Sequence, residues 1–133
     1  MKTIKYATMA IMTVLFFSMA ALNVYAGPLD GKSFTGMAGK MGKKSSEQDE
    51  IRFENGQFQS VGCEAYGFGS APYMAVVDGD KIHFVADTYS KKTGRIAWVG
   101  TIVGDKADAT FLWYKRNKHV EPKQIKWFKG HAK

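Results

Sequence analysis

Short segments in which apolar and polar residues alternate, separated by turn-forming residues, make up most of this 133-residue chain. In Lys81–Thr88, for example, Ile82, Phe84 and Ala86 fall on one face of an extended strand. This period of two is typical of a β-strand with one buried face. Asn55-Gly56 indicates a tight hairpin, because both residues tolerate positive φ. Helical periodicity is scarce, so the sequence predicts an all-β domain.

Eight strands are expected, joined mostly by short turns. They are Ser33–Gly39, Glu50–Glu54, Gln57–Val61, Tyr73–Val77, Lys81–Thr88, Arg95–Val103, Lys106–Tyr114 and Gln124–Lys129. Lys40–Gln48 is expected to be a loop, and Ile125 and Trp127 are the apolar positions of the last strand. Such an antiparallel meander closes into a small barrel, which removes unpaired edges and leaves an interior for side chains or one small ligand. A six- to eight-stranded sandwich and a five-stranded barrel of the oligonucleotide-binding kind are the alternatives.

The first 26 residues have the layout of a secretory signal peptide. Two lysines precede an apolar run over Ala7–Val24, and Val24-Tyr25-Ala26 places small residues at the two positions that a signal peptidase reads. We expect cleavage after Ala26 and a location in the periplasm or outside the cell. An uncleaved membrane anchor is the alternative, since about 17–25 apolar residues span a bilayer, but Pro28 would break a helix that continued past this site.

Residues 27–133 form the expected mature chain, a single β-barrel domain of 107 residues, and loss of the two leader lysines lowers the formal net charge from +7 to +5. The positive excess lies at the C-terminal end, where seven basic residues from Tyr114 onward accompany one acid, Glu121. Such a segment keeps a protein soluble or attracts an anionic surface. The residues expected to contact an anionic envelope polymer or lipid are Lys115, Arg116, Lys118, Lys123 and Lys126. Nucleic acid is a disfavoured partner for an exported protein.

Cys63 is the only cysteine in the chain, so it cannot form an intramolecular disulfide. It is expected to be buried, to link two copies into a dimer, or to carry redox or enzymatic chemistry. No Gly-x-Ser-x-Gly elbow is present, and the spacing of His83, His119 and His131 matches no metal site. The sequence therefore assigns no catalytic residue, metal ligand or cofactor, and it favours a non-enzymatic protein.

The segment Cys63–Tyr73 combines three aromatic residues with two glycines and a proline, so it cannot be a regular strand throughout. We expect it at the barrel mouth, as a ligand gate or as a plug that closes one end with its own aromatic side chains. With the inward aromatic residues of the strands it gives a candidate ligand-binding set: Cys63, Tyr66, Phe68, Tyr73, Phe84, Trp98, Phe111 and Trp113. A ligand-holding interior is expected to contain a cavity of about 300 Å³ or more.

Two segments, Leu29–Gly36 and Gly94–Thr101, resemble parts of calycin-type barrels, the lipocalin and avidin group. The first is similar to the entry into their first strand, where a tryptophan closely follows a glycine; Phe34 is the aromatic residue here. The second, with Gly104-Asp105, is similar to hairpins of small secreted lipocalin-like bacterial proteins. The resemblance implies a ligand-holding barrel. We therefore expect an exported binding module for a small apolar or aromatic molecule, with an envelope-surface interaction protein and Cys63-centred redox or enzymatic chemistry as alternatives.

Overall fold

The computed structural model describes residues 27–118 and 120–133, so the expected signal peptide, Met1–Ala26, and His119 lie outside the described residues. Eight antiparallel strands, each paired with the next, close into a barrel in sequence order. The strands are β1 (Ser33–Lys40), β2 (Glu47–Glu54), β3 (Gln57–Ser60), β4 (Ala71–Asp78), β5 (Lys81–Ser90), β6 (Gly94–Val103), β7 (Lys106–Lys115) and β8 (Gln124–Ala132). The prediction of an all-β, eight-stranded antiparallel barrel is confirmed. No helix in this described part of the chain is long and apolar enough to span a membrane.

Strand β2 begins three residues before the predicted start. Glu47 lies opposite Ala38 of β1, so the predicted loop Lys40–Gln48 shortens to residues 41–46. The added inward positions, Glu47 and Asp49, are acidic, and an alternation test based on apolar residues does not detect them. These polar positions are tolerated because they lie at the open end of the barrel.

Strand β8 faces the interior with a different set of residues from the two apolar ones that its sequence suggested. Phe128 is fully buried, whereas Ile125 is 42% exposed and Trp127 is half-buried. The inward set therefore includes Lys126 and Phe128, one position away from Ile125 and Trp127. Because the side-chain period is two, a shift of one residue exchanges the two faces of a strand.

Because neighbouring strands are antiparallel, the connections between them alternate between the two ends of the barrel. The loops after β1, β3, β5 and β7, residues 41–46, 61–70, 91–93 and 116–123, lie at one end, which we call the mouth. The turns after β2, β4 and β6 lie at the other end, the base, together with the entry segment of residues 27–32. The first base turn is Asn55-Gly56, whose φ values of 52° and 73° confirm the predicted hairpin.

Aromatic side chains fill the interior between the mouth and the base. The Phe53 ring is at the centre, with its centroid 5.0 Å from those of both Tyr73 and Phe84 in edge-to-face geometry. Nearer the mouth, Trp98 stacks on Phe111 with ring centroids 4.1 Å apart. Burial of each large apolar side chain contributes about 1.5–3 kcal/mol, so this packed interior dominates the stability of the barrel. The remaining large core residues are Leu29, Phe34, Ile51, Phe58, Phe68, Ile96, Ile102 and Phe128.

The base is closed by hydrogen bonds around Asp30. Its carboxylate accepts a hydrogen bond from the Tyr73 hydroxyl at 2.7 Å and another from the backbone N–H of Gly56 at 3.0 Å. The Tyr73 oxygen in turn accepts the backbone N–H of Leu29 at 3.1 Å. The bond from Tyr73 is the main cause that lowers the pKa of Asp30, and burial raises the pKa of Tyr73 to about 12. At neutral pH a neutral phenol therefore donates to a carboxylate.

The seam between β1 and β8 brings two backbones into close approach. Gly36 lies opposite Gly130 across this seam. A Cβ atom added to Gly36 would overlap the carbonyl oxygen of Lys129 and lie 2.5 Å from the Cα atom of Gly130. The barrel therefore closes along a line where any side chain at position 36 would displace the neighbouring strand.

The seam between β3 and β4 is short. Its ladder consists of Gln57 opposite Pro72 and Phe58 opposite Ala71. The backbone N–H of Tyr73 extends the contact by donating to the carbonyl of Gly56 at 3.2 Å. Strand β4 then continues to Asp78, beyond the end of the β2–β3 hairpin.

Candidate functional site

A cavity of about 270 Å³ opens at the barrel mouth, above the packed aromatic interior. Strands β2, β6, β7 and β8 and the two loops after β3 and β5 enclose it. Its lining residues are Glu47, Gln48, Asp49, Gly62, Cys63, Tyr66, Phe68, Thr93, Ile96, Phe111, Trp113, Gln124 and Lys126. Of the residues that the sequence selected as ligand-binding, Cys63, Tyr66, Phe68, Phe111 and Trp113 come together here.

The other selected residues, Tyr73, Phe84 and Trp98, lie away from this cavity. Phe84 and Trp98 are almost fully buried in the packed interior, and Tyr73 belongs to the base. Alternation reports which face of a strand is inward but not how high a residue lies along the barrel axis. Sequence reasoning therefore found the correct faces without separating the cavity walls from the core below.

The loop of residues 61–70 is fixed to the barrel by hydrogen bonds. Its 3-10 turn, Glu64–Tyr66, ends at Gly67, which has a φ of 86°. The Tyr66 carbonyl accepts hydrogen bonds from Ser90 Oγ at 2.9 Å and from Thr93 Oγ1 at 3.0 Å. Phe68 points inward and is buried, whereas the Tyr66 side chain is 63% exposed at the rim. The loop thus supplies one wall of the cavity and one projecting aromatic side chain.

The opposite wall is aromatic and fixed in orientation. Phe111 is supported from below by its stacking on Trp98, with ring planes 15° apart. The Trp113 indole N–H donates to the carbonyl of Thr93 at 3.2 Å, which sets the orientation of that ring. A flat aromatic surface held in this way presents a rigid face to a ligand.

One side of the mouth carries an ion pair that sequence reasoning missed. The Lys126 ammonium binds the Glu47 carboxylate and lies 5.6 Å from the centroid of the Phe111 ring. β1 lies between the two strands and contributes the small Ala38 at this level, so the long side chains meet across it. Lys126 is 18% exposed and belongs to the cavity rather than to the outer basic surface. The only sequence signal is a charged residue at an inward position of the alternation.

Asp49 adds a second carboxylate to this polar side. It accepts hydrogen bonds from Ser60 Oγ at 2.7 Å, from the backbone N–H of Gly62 at 2.8 Å and from that of Glu50 at 2.7 Å. Burial is the largest effect on its pKa and raises it, although these hydrogen bonds act in the opposite direction. Because its oxygens are already bonded to the protein, Asp49 mainly orients the loop after β3.

Cys63 packs against the core at the edge of the cavity. Burial is the main cause that raises the pKa of its thiol to about 11. At neutral pH the sulfur is therefore protonated, and a thiol is a much weaker nucleophile than a thiolate. Its chemistry here is that of a small, weakly polar wall residue.

Two buried polar atoms belong to residues that neighbour the cavity lining. Thr88 Oγ1 and Trp98 Nε1 have no hydrogen-bond partner among the described residues. Thr88 is opposite Ile96 on the neighbouring strand, and Trp98 is opposite Phe111, so both are cross-strand neighbours of residues that line the cavity. An unpaired buried donor costs about 1–3 kcal/mol, so each of these two atoms lowers the stability of the barrel.

Within residues 27–118 and 120–133, no three histidine, cysteine, aspartate or glutamate side chains are grouped so that they could hold a metal ion. No protein-family model matches the chain, and no curated protein or solved structure matches it at a significant level. The resemblance to lipocalin-like proteins therefore has no family or homologue support, and what stands is the eight-stranded antiparallel barrel itself.

Proposed function

We propose that the barrel binds a small, mainly apolar molecule with an aromatic ring in the mouth cavity. The observation that carries the proposal is a cavity of about 270 Å³ with the rigid rings of Phe111 and Trp113 on one side and Phe68 on the other. An apolar cavity of about 150 Å³ holds benzene, so this volume suits one ring with substituents or two fused rings. It is smaller than the cavity of about 300 Å³ or more expected from the sequence, and it lies at the mouth because the interior is filled by side chains, so it suits only ligands below drug size.

The polar side of the cavity favours a ligand with one polar substituent. The Glu47–Lys126 pair offers an acceptor and a donor next to the Phe111 ring. A substituent such as a hydroxyl can share these groups without removing either charge from its partner. With Cys63 protonated, we propose binding rather than covalent chemistry at this site.

Replacing Ile96 by tryptophan is expected to weaken binding strongly, because Ile96 lines the cavity and the larger side chain occupies part of its volume. The probe is 2-naphthol, whose binding is followed by NMR through the shift of the Trp113 indole N–H resonance. We expect saturable shifts in the native chain and at least about a tenfold loss of affinity in Ile96→Trp, which corresponds to about 1.4 kcal/mol.

Val99→Trp is the matched control, since Val99 lies on the same strand but faces outward and is exposed. It adds the same ring without entering the cavity, so binding of 2-naphthol should be unchanged. Absence of saturable shifts in the native chain, or equal affinity of Ile96→Trp and Val99→Trp, would contradict the proposal.

We propose, as a second function, that the mouth end docks on an anionic lipid surface. The specific observation is the distribution of charge along the barrel axis. The mouth loops carry seven basic residues and two acids, whereas the base segments carry one basic residue and three acids. Exposed apolar side chains stand among the basic ones, with Met41 half exposed and Val120 93% exposed. The basic residues are Lys43, Lys44, Lys91, Lys92, Arg116, Lys118 and Lys123.

This arrangement enlarges the basic surface expected from the C-terminal segment alone. Lys115, Arg116, Lys118 and Lys123 lie at the same end as the lysines of two other loops, so their fields add. Each basic residue near an anionic membrane contributes about 1 kcal/mol, and the contribution falls with salt. Docking in this orientation would bring the cavity to the lipid surface.

Reversing four mouth charges, with Lys43, Lys44, Lys118 and Lys123 all changed to glutamate, is expected to weaken binding to phosphatidylglycerol vesicles by at least about tenfold. Co-sedimentation at low and high salt measures it. Reversal of Lys81 and Lys106, at the base ends of β5 and β7, is the control and should leave most binding intact. Equal effects of the two reversals, salt-independent binding, or preference for an anionic polysaccharide over the vesicles would refute lipid docking by the mouth.

A further inference from the structure

The base of the barrel presents a carboxylate to the backbone nitrogen of Gly27. That nitrogen donates to Asp30 Oδ2 at 2.9 Å, and Asp30 Oδ1 accepts the Tyr73 hydroxyl at 2.7 Å. The backbone N–H of Gly56 completes the set at 3.0 Å from Oδ1. Gly27 is also the residue at which the sequence predicts a new N-terminus. The same nitrogen atom is therefore the predicted N-terminus of the mature chain and a hydrogen-bond donor to a carboxylate.

The fit around Gly27 is close. A Cβ atom at this position would overlap the Tyr73 hydroxyl oxygen and lie 2.6 Å from Cζ of that ring. Tyr73 is not free to retreat, because its ring packs against Phe53 and its oxygen also accepts the Leu29 N–H. A glycine is therefore required at this position for its nitrogen to reach Asp30.

We propose that hydrolysis of the Ala26–Gly27 bond creates an α-ammonium group that forms an ion pair with Asp30 and completes the base of the barrel. A signal peptidase would break the amide C–N bond and consume one water molecule. The products are a carboxylate on Ala26 and an amine on Gly27, which takes up a proton at neutral pH because its ordinary pKa is about 7.7–8.0. The nitrogen atom that cleavage releases would thus also help to hold the base of the barrel together.

The negative charge of Asp30 favours an ammonium group at Gly27 over an amide. Its hydrogen-bond donors among the described residues are a neutral phenol and two backbone amides, so its negative charge has no cationic hydrogen-bond partner there. Replacing one amide donor by an ammonium places charge on the donor as well as on the acceptor, which strengthens that bond. Because solvent reaches Asp30, water weakens the attraction between the ammonium group and the carboxylate. Asp30 and Tyr73 are titratable side chains next to Gly27, and Tyr73 stays neutral with its pKa of about 12.

The stability of two chains with different N-termini measures the proposed ion pair. All eight strands and the described core lie in residues 27–133, so a chain that begins at Gly27 contains the whole barrel. A second chain retains Val24–Ala26, which makes the Gly27 nitrogen an amide. We expect the unfolding equilibrium constant to be at least about fivefold smaller for the chain that begins at Gly27.

Asp30→Asn tests whether this difference depends on the carboxylate. In that background the two N-termini should differ by less than about twofold, whereas Asp105→Asn, in another base turn, should preserve the full difference. Persistence of the difference in Asp30→Asn, or its absence in the native pair, would overturn the proposal.

Two further measurements do not depend on the folding of Asp30→Asn. The pKa of the Gly27 amine, followed by NMR in the chain that begins at Gly27, is expected to rise to about 8.5 or higher, clear of its ordinary range of about 7.7–8.0. The full-length chain, expressed with its leader in a bacterium, should yield an exported product whose intact mass begins at Gly27. An ordinary amine pKa, or a product that begins at any other residue, would overturn the proposal.

Discussion

Replacing Phe53 by alanine is expected to lower the free energy of unfolding by about 3–5 kcal/mol. Phe53 is 1% exposed, and its ring makes edge-to-face contacts with aromatic residues from β1, β3, β4 and β5. Truncation removes these contacts and leaves a cavity that rigid rings cannot collapse to fill. A domain of this size has a total stability of about 5–10 kcal/mol, so the loss is a large fraction of it.

Urea unfolding, followed by tryptophan fluorescence and far-ultraviolet circular dichroism, measures this change. Glu54→Ala is the matched control, because Glu54 is the next residue on β2 and its side chain is exposed. That substitution should change the stability by no more than about 0.5 kcal/mol. A loss below about 1 kcal/mol for Phe53→Ala would show that the aromatic cluster is not the main source of stability.

The second large effect is expected at the β1–β8 seam. Gly36→Ala should destabilise the barrel by about 3 kcal/mol, at the upper end of the range for an added methyl group in a tightly packed site. The reason is that the new Cβ would overlap a backbone carbonyl of β8, which cannot rotate away as a side chain could. This overlap can be relieved only if β1 and β8 move apart at the seam that closes the barrel.

Thermal and urea unfolding of the purified variant measure the loss. Gly69→Ala is the matched control: nothing lies within 4 Å of the position of its added Cβ, and its φ is not positive. This variant should be neutral or slightly stabilised, because alanine has less backbone freedom than glycine in the unfolded chain. Similar stabilities for Gly36→Ala and Gly69→Ala would mean that the seam relaxes without cost.

The fold was predictable because alternation, turn residues and strand number agree along the chain. Asn55-Gly56 and the run Lys81–Thr88 identify a hairpin and a strand without any knowledge of their neighbours. The errors fall near the mouth, at the start of β2 and in the last strand. There the inward positions include Glu47 and Lys126, and a rule that equates inward with apolar assigns them to solvent.

The candidate site was predictable only in part. The aromatic and glycine content of Cys63–Tyr73 indicated a mouth loop, and residues 61–70 do form one wall of the cavity. Phe84 and Phe111 have the same inward pattern, yet one lies in the packed interior and the other at the cavity. Their height depends on strand register and stagger, which arise from pairing between distant segments and leave no local mark in the sequence.

The short β3–β4 ladder also has a consequence for the motions of the barrel. The Tyr73 N–H points toward the hairpin, so by alternation the backbone groups of Ala75 and Val77 point to the same side, beyond the end of β3. Local opening has its lowest free energy where backbone pairing is sparse. Along this line the wall is therefore expected to open locally more readily than at the long ladders between β5, β6 and β7.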